Sequence, residues 1–179
     1  MSRHNRFMRL RHADPVDDVE VVYRWIGPRS DTRQFAMNGE TAVSRDVVRQ
    51  IVDNPTGHTL VAFDGDDVPF GLVWLGAYGP PSSRTFEIEC LVGEPAHRQS
   101  VAAGAMVARA LEFAFQDLGA RKLLATVPAH NAHAIDLLTA HRLGRRECLL
   151  RDYYFIDGSY IDAWVWGVLD SEYAEKRKM

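Results

Sequence analysis

The hydrophobic positions change period several times along the chain, and each change predicts an element. Residues Phe7 to His12 alternate as a short strand, and Ala13-Asp14-Pro15 then supplies a helix start, with Asp17, Asp18 and Glu20 at the positive end of the dipole. Val16, Val19, Val22, Tyr23 and Ile26 recur at helical spacing and predict one buried face, which Gly27-Pro28 ends. A polar stretch from Arg29 to Thr41 follows, and Ser44 then caps a second helix reaching about Asp53. Beyond the turn Asn54-Pro55-Thr56-Gly57, three strand-like runs cover His58 to Phe63, Val68 to Tyr78 and Arg84 to Val92. They are joined by Asp64-Gly65-Asp66-Asp67 and Gly79-Pro80-Pro81-Ser82-Ser83, which predicts an antiparallel meander.

From Ala102 to Leu118 the period becomes helical, with Met106, Val107, Ala110, Leu111, Ala114 and Phe115 on one face and Gly119 as the stop. A strand at Lys122 to Val127, a helix at Asn131 to His141, and strands at Arg145 to Tyr154 and Tyr160 to Leu169 follow. The turn Ile156-Asp157-Gly158-Ser159 joins the last two, and the lysine-rich tail after Glu172 is expected to fray. The order β, α, α, β, β, β, α, β, α, β, β predicts one domain over residues 1–179. Its class is α/β (α+β), a mixed, mostly antiparallel sheet of about seven strands flanked by about four helices.

Composition narrows the function classes. A 179-residue chain with 25% charged residues and a net charge of −3 has no excess of cations from which to build a nucleic-acid surface. The basic N-terminus lacks an apolar h-region, and no run approaches the roughly 20 apolar residues of a membrane span, so a cytoplasmic protein is expected. Cys90 and Cys148 each lie in an apolar run without Cys-x-x-Cys spacing and read as small buried hydrophobes.

The chemically informative segment is a strand, a short loop and a helix start: Glu87 to Val92, Gly93 to Gly104, then the long helix. A tight loop entering a helix turns backbone N–H groups toward one point where the dipole favours an anion such as a diphosphate. The motifs Gly93-Glu94-Pro95-Ala96-His97-Arg98, Glu112-Phe113-Ala114-Phe115, Asn131 and Asp157-Gly158-Ser159-Tyr160-Ile161-Asp162 occur in the same order of elements as in a known family. On these residues the chain resembles the GNAT acyltransferase superfamily, in particular its RimJ/RimL-like branch.

The resemblance implies acetyl-CoA as co-substrate. It implies that Leu91, Val92 and Gly93 hold the pantetheine arm, that Arg98, Gln99, Ser100, Val101, Ala102, Ala103 and Gly104 form the pyrophosphate loop, and that Asn131 contributes to donor binding. In the family's (Arg or Gln)-x-x-Gly-x-(Gly or Ala) pattern, Arg98 and Ala103 match, while Val101 stands where the first glycine belongs. A β-branched residue resists positive φ and narrows the phosphate's space, so a rearranged loop using Gly104, or weak donor binding, is expected. The family's general-acid positions, a tyrosine or a serine on the helix after Asn131, carry Leu138 and Ala134, and its usual Gly-Phe pair is replaced by Arg142-Leu143.

Glu87 matches a glutamate that serves as base in related enzymes, and Glu89, two residues on, shares its strand face. Two adjacent carboxylates on a partly buried strand should push at least one pKa up, toward where it can accept a proton from an ammonium. The bland alternative is a solvated face or pairing with arginines. His130, His133 and His141 around the helix read as surface residues, and without a third ligand at the right spacing no metal is expected. Tyr153, Tyr154, Tyr160, Trp164 and Trp166 crowd the last hairpin, where core or dimer packing competes with an aromatic acceptor pocket. Trp25 is a comparable candidate for a cleft wall.

These features predict an N-acyltransferase moving an acetyl group from acetyl-CoA to a primary amine of a small molecule or protein N-terminus, by direct attack. Two alternatives stay open at this stage. One is a transferase using an acyl carrier protein or an aminoacyl-tRNA, with Arg142, Arg145, Arg146 and Arg151 as the local basic cluster; the other is a non-catalytic binding module. The acceptor is a small-molecule or peptide amine, no membrane and no nucleic acid other than that tRNA is expected, and homodimerisation is left open.

Overall fold

The computed structural model describes residues 8–27 and 43–177. Phe7 and the polar segment Arg29 to Thr41 lie outside the described residues. The chain divides into two compact units, Met1–Leu75 with Cys90–Phe113, and Gly76–Glu89 with Ala114–Met179.

In the first unit, strand β1 (Met8–His12) pairs antiparallel with β2 (Gly57–Asp64), Met8 opposite Asp64 and His12 opposite Leu60. Helix α1 (Val19–Ile26) buries Val19, Val22, Trp25 and Ile26, and α2 (Arg45–Asp53) adds Val48 and Val52 to the same core as Val61, Phe63 and Leu72. The Ser44 hydroxyl accepts from Val47 N at 3.3 Å, the predicted N-cap of α2. Val16 departs from the predicted buried face: it is 84% exposed in the turn before α1. The Asp14 carboxylate accepts from the N–H groups of Val16 and Asp17, and Asp18, paired with Arg11, accepts from Asp14 N, so side chains hold the turn and the helix begins only at Val19. Strand β3 (Pro69–Ala77) follows a loop closed by Asp64 Oδ1, which accepts from Asp66 N and Val68 N, both at 3.0 Å.

Strands β3 and β4 (Thr85–Val92) pass between the units: β3 leaves the first after Leu75 and β4 enters it at Cys90. Helix α3 (Val101–Glu112) buries Ala103, Met106, Ala110 and Leu111, and its backbone widens into a π turn over Phe113–Asp117 before Gly119 (φ 63) ends it.

The second unit contains β5 (Lys122–Pro128), α4 (Ala132–Ala140), β6 (Arg145–Ile156), β7 (Ser159–Leu169) and α5 (Asp170–Lys176). The seven strands are hydrogen-bonded in the order β1-β2-β3-β4-β5-β7-β6, with β4 and β5 parallel, which is the predicted mixed, mostly antiparallel sheet. The β6–β7 turn runs through Asp157 and Gly158 at φ 49 and 83, the left-handed pair of a tight hairpin.

Two predictions are corrected. The tail is helical over Asp170–Lys176: α5 is a fifth α-helix among the described residues, its start closed by Leu169 N donating to Glu172 Oε2 at 3.0 Å and its Tyr173 ring stacked on Phe115 with centroids 4.7 Å apart. Cys90 and Cys148 are exposed, not buried. Cys148 lies on β6, an edge strand exposed along most of its length and broken by register shifts between Arg146 and Cys148 and between Leu150 and Tyr154, so an apolar neighbourhood there does not mean burial.

Candidate active site

In the second unit, the parallel ladder between β4 and β5 has three rungs, Thr85 opposite Lys122, Phe86 opposite Leu123 and Glu87 opposite Leu124. It ends there, although β4 runs on through Glu89 and β5 on to Pro128. The two predicted glutamates stand at this point. Glu87 Oε1 accepts a hydrogen bond from the Thr126 hydroxyl at 3.0 Å. Glu89 meets solvent on its outer side, yet protein crowds the carboxyl from the others; this desolvation, and then the Glu87 charge, push its pKa above the usual carboxylate range. Glu89 therefore has raised proton affinity.

A third group enters, one of the hairpin aromatics for which the sequence left packing and an acceptor pocket in competition. Tyr154 on β6 is buried, its phenol pushed up by burial and by the charges of Glu89, Tyr153 and Glu87 in turn, and its hydroxyl makes a long contact of 3.5 Å to the Thr126 carbonyl. The phenol is protonated at neutral pH. The two register shifts in β6 break simple alternation, so spacing does not mark Tyr154.

The residues implied for the donor lie in the first unit, except Asn131. Gly93 N and Glu94 N both donate to Phe70 O, at 2.9 and 3.1 Å, so the Gly93 amide is engaged within the protein. Leu91 and Val92 are half-buried beside it. Trp25 is not a cleft wall: it is 2% exposed and packs directly under Gly93, where a Cβ would come within 2.2–2.4 Å of its ring atoms. Its Nε1 donates to Glu94 Oε1 at 2.9 Å, and Arg24 Nη2 donates to the same oxygen at 2.6 Å. Gly93 is required here for close approach.

The loop beyond is held at His97, whose ring stacks on Phe70 and whose Nε2 lies 3.0 Å from Asp64 Oδ2. The left-handed backbone falls on Gln99 (φ 59), one residue after Arg98. Val101 is the first residue of α3 with ordinary helical backbone, so the strain expected of a β-branched residue there does not arise. Its side chain, 87% exposed, projects into solvent. Ser100 caps the helix, its hydroxyl accepting from Ala103 N at 3.2 Å, which leaves the N–H groups of Val101 and Ala102 without intrahelical acceptors. Among the described residues, nothing beyond the helix's own backbone lies within 4 Å of where a Cβ of Gly104 would stand. A helix start with two outward amides and an open glycine beside them fits a diphosphate.

Asn131 caps α4, its Oδ1 accepting from Ala134 N at 3.2 Å, and Ala134 and Leu138 bring no acid to that helix. His130, His133 and His141 are exposed, and no metal-ligating cluster occurs among the described residues. Arg145 pairs with Glu172 at 3.0 Å and Arg146 lies over Trp164, so these two are not offered as a basic track. Trp166 is buried and donates to Leu143 O, a core role, while Tyr160 is exposed.

The sequence profile of the Acetyltransferase (GNAT) family matches residues 23–144. No curated protein sequence matches the chain. Among solved structures, the spermidine N-acetyltransferase from Vibrio cholerae in complex with CoA and spermine superposes with a TM-score of 0.82 at 23% identity, over 95% of this chain and 99% of that one. A dodecameric structure of the same enzyme in an intermediate state gives 0.77 at 21% identity, over 94% and 97%. At these identities the likeness is one of fold. No helix among the described residues is long and apolar enough to cross a membrane.

Proposed function

The chain belongs to the GNAT family of acetyltransferases, an acyl-CoA-dependent N-acetyltransferase with acetyl-CoA as co-substrate, and from that premise we propose that its acceptor is a primary amine deprotonated by Glu89. The observation that carries the reading is the carboxylate pair at the end of the β4–β5 ladder. Glu89, desolvated and facing the Glu87 charge, has the raised proton affinity a base needs to take a proton from an ammonium. Glu87, held by Thr126, places a second carboxyl beside it, which suits a cationic acceptor.

Bound acetyl-CoA supplies the thioester carbonyl that the amine attacks. The chain's own residues then have separable tasks. The first-turn amides of α3 and the loop Arg98 to Gly104 hold the diphosphate, Leu91 and Val92 line the arm, and Gly93 shapes the strand's exit over Trp25. Glu89 accepts the ammonium proton, leaving a neutral nitrogen with a lone pair. That the Vibrio cholerae enzyme was solved with spermine supports placing polyamines first among acceptors to try.

Calorimetric titration with acetyl-CoA, followed by thiol release with spermidine, spermine, monoamines and a peptide N-terminus, tests the reading. Saturable donor binding with thiol release that depends on an amine and on Glu89 is expected. Donor binding with no amine acetylated, or acetylation indifferent to Glu89→Gln, would overturn it.

A further inference from the structure

Had the β4–β5 ladder continued in register, Thr126 would stand opposite Glu89, since Glu87 is opposite Leu124. Paired residues of parallel strands share a face, so the Thr126 side chain and both carboxylates lie on the same side of the sheet. Instead of a fourth rung, the Thr126 hydroxyl reaches diagonally back to Glu87 Oε1 at 3.0 Å. A side-chain hydrogen bond thus stands where the backbone bonds stop. The other edge of β5 is fully laddered to β7, with Thr126 opposite Val165 and the register unbroken from Lys122 to Pro128, so the hydroxyl hangs from a rigid backbone. The same residue's carbonyl faces the Tyr154 hydroxyl at 3.5 Å.

We propose that Thr126 is a positioning residue: its hydroxyl pins Glu87 where β4 and β5 part, and so fixes the charge against which Glu89 works. The proposal rests on the reading above that Glu89 takes the acceptor's proton. Glu87 has a flexible side chain on a strand that is losing its partner, and unpinned it would swing toward water and leave the charge beside Glu89 unfixed. Glu89 meets the Glu87 charge from its own strand, β4, and both carboxylates, with Tyr153, act in turn on the Tyr154 phenol on β6. Thr126 acts through Glu87 and touches no reacting atom.

Thr126→Val keeps the shape and removes the donor, and Thr126→Ser restores it. Carbon-13 carboxyl NMR of glutamate-labelled protein follows Glu89 directly and needs no acceptor. In the unaltered protein Glu89 should titrate above the usual carboxylate range, in Thr126→Val lower, because the Glu87 charge is no longer held beside it, and in Thr126→Ser as in the unaltered protein. With an amine acceptor, Thr126→Val should lower kcat roughly tenfold while the amine KM stays within about twofold, because geometry rather than binding is lost. Unchanged Glu89 titration and kcat in Thr126→Val would overturn the proposal while leaving the base assignment intact. Should Thr126→Val fail to fold, Glu87→Gln serves as the second variant, since it removes the fixed charge while its amide oxygen still accepts from Thr126; an unaltered Glu89 titration there overturns the proposal too. The predicted NMR pattern with no transfer to any amine would instead reject the function and keep the pin.

Discussion

His97 Nε2 and Asp64 Oδ2 lie 3.0 Å apart, joining the β2–β3 hairpin to the loop that precedes α3. Asp64 is itself fixed by the N–H groups of Val68 and Asp66, which with His97 hold its carboxyl below the usual range, and Phe70 stacks on the imidazole. The loop's conformation therefore depends on a hairpin 33 residues earlier in the chain. Asp64→Ala should weaken acetyl-CoA binding about threefold to tenfold by calorimetry, through disorder in the loop, while the amine KM at saturating donor stays unchanged. A change confined to the amine KM would contradict this coupling.

Gln99 holds a left-handed backbone with a side chain that disfavours it. Gln99→Gly should raise stability by up to about 1 kcal/mol in urea denaturation, the strain relieved exceeding the entropy that glycine adds to the unfolded chain. Val101→Gly should show no such gain, since Val101 carries ordinary helical backbone.

Glu89 has a raised pKa from desolvation of its carboxyl and from Glu87, so its basic form is present above that pKa and is lost as pH falls through it. The acid limb of kcat/KM should accordingly lie above the ordinary carboxylate range of about 4.3. Glu89→Gln should remove that limb and lower kcat by about 10²-fold or more with acetyl-CoA binding retained. Stopped assays across pH 4.5 to 8, roughly the range bracketing the limb, read both effects.

His58, packed against His12 and Phe113 with centroids 5.4 and 5.5 Å away, has its pKa lowered by burial and then by His12. The folded state thus binds a proton less readily than the unfolded chain, whose histidine titrates near about 6.5. This contribution to stability is complete above that value and is lost as pH falls through it toward the folded pKa. Urea midpoints should drop between pH 7.5 and 5.5, a window set by about 6.5, and His58→Phe should flatten the drop.

Strands, helices and their order were legible because hydrophobic period and turn chemistry are local signals: Ser44, Gly119 and Asp157-Gly158 mark ends where the structure has them. Glu87 and Glu89 were legible for the same reason, since alternation places them together. Thr126 and Tyr154 were not, because their relation to Glu87 depends on where a parallel ladder stops and on bulges in a distant strand. Trp25 was placed at a cleft by its aromatic character, and only the absence of a side chain at Gly93 reveals that it lies underneath. Val16 matched the helical period yet stands outside α1, because the carboxylates of Asp14 and Asp18 organise the turn before it.

The irregular course of β6 bears on how the protein behaves at high concentration. A long, flat edge strand is a template for aggregation, because its open row of amides and carbonyls recruits another chain. Here the row is bent twice, at Arg146/Cys148 and at Leu150/Tyr154, and Arg145, Arg146, Arg151 and Asp152 are exposed along it. A neighbouring molecule cannot extend the sheet without straightening both bulges and bringing its own charges alongside these. The strand that lends Tyr154 to the carboxylates is thus also a poor template at this edge of the sheet, and deleting Glu147, which removes the first of its two irregularities, should trade solubility for regularity.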